Sequence, residues 1–276
     1  MSFLSGGSVK RLKLGWCPEL QSFDGIYHLS SLTHFDLSDS RLLNDDLVEG
    51  LVQLSGLEEL VLHGCRGITN KSIQSIANIL CLRDLDISDT LVSDISPLAS
   101  TLLKTLDISY CANITTVVVP QTLRELNMFS SGIKDISSLR DNLDLEKLIL
   151  SRCDIADMEC LACLLNLRWL DIGETKVSKV VIPPSLEYLS IFSTQITDFT
   201  GIGTVQELVA SYTNIRNEDL PALANISILH LSKCQMITDI SCLTSVKTLY
   251  LKGMPHLDSN ADDLLLRNPD IRIITR

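Results

Sequence analysis

Leu57-Glu58-Glu59-Leu60-Val61-Leu62-His63-Gly64-Cys65 sets three leucines in the order leucine, two variable residues, leucine, one variable residue, leucine. Leu145-Glu146-Lys147-Leu148-Ile149-Leu150-Ser151-Arg152-Cys153 repeats it. Twelve units follow this plan, beginning at Val9, Leu32, Leu57, Leu82, Leu103, Leu123, Leu145, Leu167, Leu186, Val205, Ile226 and Val246, and a closing half-unit runs from Ile271 to Ile274. Successive starts lie 19 to 25 residues apart. The last two leucines of each unit, two residues apart, point to one side of an extended chain. Each unit therefore predicts a short strand with its leucines turned inward. A period of this length predicts a stacked solenoid in which each unit contacts its neighbours.

A small residue follows each strand: Cys17, Ser40, Cys65, Thr90, Cys111, Ser131, Cys153, Thr175, Thr194, Thr213 and Cys234, then Met254. It is expected to turn inward, where a compact weak donor can meet backbone carbonyls. The return paths differ. Asn44–Leu51 and Asn70–Ala77 read as helices, each with its asparagine as N-cap. Val117–Pro120 and Val181–Pro184 break with proline, which forbids a helix interior.

From Val9 onward the chain resembles the leucine-rich-repeat superfamily. The Cys65-Arg66-Gly67-Ile68-Thr69 run is similar to the cysteine-containing subtype of F-box proteins. Asp94-Ile95-Ser96-Pro97-Leu98 and Thr238-Asp239-Ile240-Ser241-Cys242-Leu243 look like the shorter internalin and phosphatase-regulatory subtypes. The resemblance implies an α/β fold: a right-handed horseshoe with a parallel concave sheet and short helices, 3₁₀ turns or extended segments behind it. One domain is expected over residues 1–276, with repeats over about 9–257 and a closing segment at 258–276.

Of the nine cysteines, five occupy the inward position, and Cys81, Cys160, Cys163 and Cys242 fall among apolar residues of the return path. Reduced core thiols and a cytoplasmic location are the expectation, since disulfides belong to oxidising compartments. Cys160-Leu161-Ala162-Cys163 lacks the second pair that a metal or redox reading needs. Met1–Gly7 has no basic start followed by an apolar run, and no stretch reaches the ~18 uninterrupted apolar residues of a membrane span. The net charge of −11 disfavours a nucleic-acid backbone or an anionic membrane as partner. No cofactor, metal or enzymatic motif is expected. His34, Glu59 and Asp84 share a column but lack the closure of a metal site.

Outward strand residues form columns across the sheet. One column reads Arg11, His34, Glu59, Asp84, Thr105, Glu125, Lys147, Trp169, Tyr188, Glu207, Ile228, Thr248. The next reads Lys13, Asp36, Val61, Asp86, Asp107, Asn127, Ile149, Asp171, Ser190, Val209, His230, Tyr250. Two candidate partner-binding patches emerge: acidic, at Asp36, Asp84, Asp86 and Asp107, and aromatic, at Phe129, Trp169, Tyr188, Phe192 and Tyr212. Asp86 and Asp107 read as solvated charge. Aromatic residues make up only 5% of the chain and supply many interface hot spots. They could instead pack on one another as cross-strand pairs. The expected function is a non-enzymatic, monomeric protein-interaction module that holds its partner on the concave face. The alternatives are the substrate-recognition component of a ubiquitin ligase, with the F-box absent here, or a regulatory subunit of a phosphatase or cyclase.

Overall fold

The computed structural model describes residues 8–17, 25–41 and 43–275. The Met1–Gly7 stretch read above for a targeting signal lies outside them. The chain forms two compact units, Met1–Leu145 and Glu146–Arg276.

In the first unit, β1 (Arg11–Lys13), β2 (His34–Asp36), β3 (Glu59–Val61), β4 (Asp84–Asp86), β5 (Thr105–Asp107) and β6 (Glu125–Asn127) pair in sequence order, all parallel. In the second, β7 (Lys147–Ile149), β8 (Trp169–Asp171), β9 (Tyr188–Ser190), β10 (Glu207–Val209), β11 (Ile228–His230), β12 (Thr248–Tyr250) and β13 (Arg272–Ile274) do the same. The register reproduces the columns read from the sequence: Glu59 faces Asp84, which faces Thr105, and Trp169 faces Tyr188, which faces Glu207. Each strand is three residues long, with a central inward side chain between two outward ones. The first and third leucines sit just outside the strand and are equally buried, as at Leu57, Leu60 and Leu62. This is the α/β solenoid expected from the repeat.

Behind the sheets, the return paths carry α1 (Asp45–Glu49), α2 (Asn70–Ile76), α3 (Leu220–Leu223), α4 (Asp258–Arg267) and several 3₁₀ turns. Asn44 caps α1 as expected, accepting from the Leu47 N–H at 3.1 Å. The cap of α2 is Thr69 rather than Asn70. Asn70 is already helical, and its side chain reaches the next repeat instead, accepting from the N–H groups of Ser93 and Asp94. In the preceding repeat Asp45 acts in the same way, holding Thr69 and Ser72. Asn217 does so in the second unit, holding Thr238 and Asp239. The proline-broken returns at 117–120 and 181–184 are neither helix nor strand.

Two further ladders tie repeats together. Most inward small residues are buried, and their threonines and cysteines spend their donors on backbone carbonyls, whereas the buried Ser40 hydroxyl finds no partner among the described residues. Thr90 and Cys111 both reach the Ile87 carbonyl, and Thr213 and Cys234 both reach that of Ala210. Threonine bonds within its own repeat, and cysteine reaches back one repeat. Burial pushes the Cys65 thiol up to about 11, so it stays protonated and can donate. The second ladder lies one residue earlier. Trp16, Asp39, Asp89, Tyr110, Ser130, Arg152, Glu174, Ser193, Tyr212 and Lys233 all take left-handed backbone, with φ between 50 and 63°. Such a conformation costs a non-glycine residue roughly 1–2 kcal/mol. It is offset because the turn aims its N–H at the next repeat, as Asp89 does at the Ser109 carbonyl, 2.9 Å away.

All nine cysteines carry thiols. One expectation needs correction: Cys81, Cys163 and Cys242 are exposed, not core. Return-path residues alternate between core and solvent, and these three fall on the solvent side. A thiol reagent should therefore modify these three in the native protein and Cys65, Cys111, Cys153, Cys160 and Cys234 only after unfolding, without prior reduction. A disulfide found by mass spectrometry in freshly purified protein would contradict this.

Leu148 is fully buried opposite Leu170. Leu148→Ala should cost about 2–5 kcal/mol, read as a lowered urea midpoint. For Asp45, burial raises the carboxyl pKa, but hydrogen bonds from Ser72 and Thr69 outweigh it, so the net shift is downward. A lowered folded-state pKa stabilises above the unfolded value and loses its contribution as pH falls through the folded one. Asp45→Ala should thus lower the urea midpoint at neutral pH, and the difference from wild type should vanish on the acid side of the carboxylate range.

Candidate functional site

The aromatic residues on the solvent side of the sheets stand in pairs. In the second unit, strand pairing places Trp169 beside Tyr188. Their rings stack with centroids 3.6 Å apart and planes 8° from parallel. The Lys147 ammonium lies 5.9 Å from the Trp169 ring centre. Phe192 meets Tyr212 at 5.2 Å in a tilted contact. His230 stacks on Tyr250 at 4.0 Å and 5°. Trp169 remains 41% exposed and Tyr212 55%, and Tyr188 and Phe192 are half-buried. Phe129 belongs to the first unit, where its ring meets Tyr110 edge-on at 5.2 Å.

The cross-strand pairing weighed above is therefore present, face to face in Trp169–Tyr188 and His230–Tyr250 and tilted or edge-on in the other two pairs. Tyr212 and Tyr110 sit not on strands but at the left-handed turns. Tyr110 and the His230–Tyr250 pair were not singled out from the sequence. The signal was present for the pair, because His230 and Tyr250 follow one another in a column.

The acidic candidates do not form a simple solvated patch. Asp36, Asp86 and Asp107 each turn one carboxylate oxygen onto the N–H two residues ahead, at Ser38, Ser88 and Ser109, over 2.8–3.0 Å. They cap the turn that leaves the strand. The recurring Asp-x-Ser in Asp36–Ser38, Asp86–Ser88 and Asp107–Ser109 was the legible sign. Asn127 does the same for Phe129, so an amide suffices. For Asp36, burial raises the carboxyl pKa, but Ser38 and the Lys13 ammonium outweigh it and the net shift is downward.

Asp86 goes the other way. Burial pushes its carboxyl up, the neighbouring Asp107 adds to this, and hydrogen bonds from Ser88 only partly oppose it. This corrects the reading of Asp86 as freely solvated. Asp84 is half-buried beside Glu59 and Thr105.

The Ser88 hydroxyl also meets His63 Nδ1 at 2.8 Å. Because Ser88 donates its proton to Asp86, His63 must be the donor in this contact. The imidazole therefore does not act as a base toward Ser88, and this is not the arrangement of an activated serine nucleophile. The His34, Glu59 and Asp84 column does not converge on a point. Glu59 is taken up by His34 Nε2 at 3.3 Å and by Arg11 at 3.6 Å. Among the described residues no group of three metal-ligating side chains gathers. No helix among them is long and apolar enough to cross a membrane.

No known protein-family model matches the chain. Solved structures do. The internalin InlF of Listeria monocytogenes superposes with a TM-score of 0.74 at 24% identity, over 89% of this chain and 74% of that one. The functional domain of InlJ from Listeria monocytogenes, which includes a cysteine ladder, gives 0.70 at 16% identity, over 98% of this chain and 63% of that one. TLR13 in complex with ssRNA13 gives 0.52 at 17% identity, over 91% of this chain and 55% of that one. The chain thus spans less than two thirds of the last two. At such identities the likeness is one of fold, and it meets the leucine spacing and the strand ladder already described: the chain has the fold of a leucine-rich-repeat solenoid.

Proposed function

We propose that this protein is a non-enzymatic interaction module that binds a protein partner on the solvent-facing side of its strands, the side expected to be concave. The observation that carries the reading is the exposed stack of Trp169 on Tyr188 in the second unit. A tryptophan costs solvation free energy when left 41% open to water. Tryptophan and tyrosine on a rigid sheet lose little side-chain entropy when a partner covers them, and they dominate interface hot spots. The carboxylates of Asp36, Asp84, Asp86 and Asp107 in the first unit would steer a basic partner and raise its association rate.

A nucleic-acid reading has one point in its favour, since TLR13, of similar fold, is solved with ssRNA13. The net charge of −11 and the carboxylates on the strand face weigh against it. A reducing compartment fits the thiol state of all nine cysteines. The ubiquitin-ligase and enzyme-regulatory readings are versions of the same binding role. They differ in what co-purifies: ligase core subunits, or a catalytic phosphatase or cyclase.

Because Trp169 points outward, Trp169→Ala should leave the fold intact by circular dichroism. Partner capture in a pulldown should weaken at least about thirtyfold, the equivalent of ~2 kcal/mol. Unfolding of the variant would mean the ring is structural. Normal folding with unchanged capture would move the partner to another surface.

A further inference from the structure

The aromatic stack of the second unit has the Lys147 ammonium at one end and two carboxylates along its border. Column order on β7 to β10 is Lys147, Trp169, Tyr188, Glu207, and Asp171 lies on the same strand as Trp169. The faces of the Trp169 ring are engaged by Tyr188, stacked at 3.6 Å, and by the Lys147 ammonium, 5.9 Å from the ring centre. A ligand that binds by stacking a flat ring therefore finds both faces of Trp169 taken, and what that ring presents is its edge.

The two carboxylates are Asp171 and Glu207. Asp171 accepts from the Gly173 N–H at 3.0 Å through one oxygen. Glu207 meets His230 Nε2 at 3.2 Å. Burial lowers the His230 pKa, against the opposing pull of Glu207, so at neutral pH the imidazole is mostly neutral and does not cancel the glutamate. Both carboxylates act on the Tyr188 phenol. Burial first, then the charges of Asp171 and Glu207, push it up to about 12. Among the described residues, neither carboxylate has a lysine or arginine partner. Other acids of this unit do: Glu174 with Arg152 at 2.9 Å, Glu187 with Arg168 at 3.1 Å, and Asp154 with Lys176.

We propose that this stack takes an arginine side chain from an extended, basic segment of the partner, with its methylene stem along the ring edges of Trp169 and Tyr188 and its guanidinium on Asp171 and Glu207. The proposal rests on the reading of the strand face as the binding surface and adds the chemistry of the partner. Arginine suits the site because its planar fork can bond carboxylates while its stem packs on apolar surface. The net charge of −11 favours the approach of a basic chain.

The test uses a peptide of alternating arginine and serine, with a glutamate-for-arginine peptide as control. The protein carries the Trp16→Phe substitution, so that Trp169, the other of its two tryptophans, is the sole reporter. The arginine peptide should change Trp169 fluorescence saturably, and the glutamate peptide should not. Asp171→Asn with Glu207→Gln should weaken the arginine peptide at least about tenfold. Asn127 already caps its own turn with an amide, so Asp171→Asn preserves the turn. Each single variant is read in the same way, which covers a double variant that fails to fold. A charge-matched control, Asp154→Asn with Glu187→Gln, should leave affinity unchanged. Equal weakening by the control pair would overturn the site, as would equal binding of both peptides or no fluorescence response. The natural partner separates the two readings. Capture lost with Trp169→Ala but untouched by Asp171→Asn and Glu207→Gln keeps the strand face as the binding surface and sinks the arginine.

Discussion

A strand of three residues offers each neighbour only a few backbone hydrogen bonds and one inward side chain, so no repeat of this chain can bury its leucines alone. Leu60 is covered because Phe35 and Leu85 flank it in register, and Leu148 because Leu170 lies beside it. The rest of the structure serves that stacking. The buried donors of Thr90 and Cys111 converge on one carbonyl, the side chains of Asp45 and Asn70 reach forward one repeat, and the left-handed turns aim their N–H groups at the next. Stability therefore resides between repeats more than within them.

The same stacking creates the candidate site. Because register is strict, residues one period apart become neighbours, and any two aromatic residues in a column meet. Trp169 and Tyr188 are separated by 19 residues in the chain and by 3.6 Å between ring centres. A surface of this kind is written one residue per repeat, which lets single substitutions change what it presents without touching the core.

The repeat made the fold legible. Leucine spacing placed the strands, and within each unit the columns drawn from it match the strand pairing. The site was legible in position but not in detail. That Trp169 and Tyr188 would be adjacent followed from their column. That their rings would close face to face depended on side-chain rotamers that no spacing encodes. Asp86 escapes a column reading because the column names its neighbour Asp107 but not the burial that pushes its carboxyl up. The α2 cap shifts by one residue because Thr69 and Asn70 are both good caps, and the need of the following repeat for a hydrogen-bond acceptor decides between them.

Gly64 and Gly253 mark the left-handed turn in the two repeats that use glycine there. The space where their side chains would stand is filled from the repeat before, by Asp39 over Gly64 and by Lys233 over Gly253. Turn residues at this edge are thus chosen in pairs across a repeat boundary. Anyone transplanting or duplicating a repeat of this chain has to move the boundary with it. A graft cut between Asp39 and Gly64 would set a new side chain against an old gap, or two side chains in one, and the modular unit for recombination is the junction rather than the repeat.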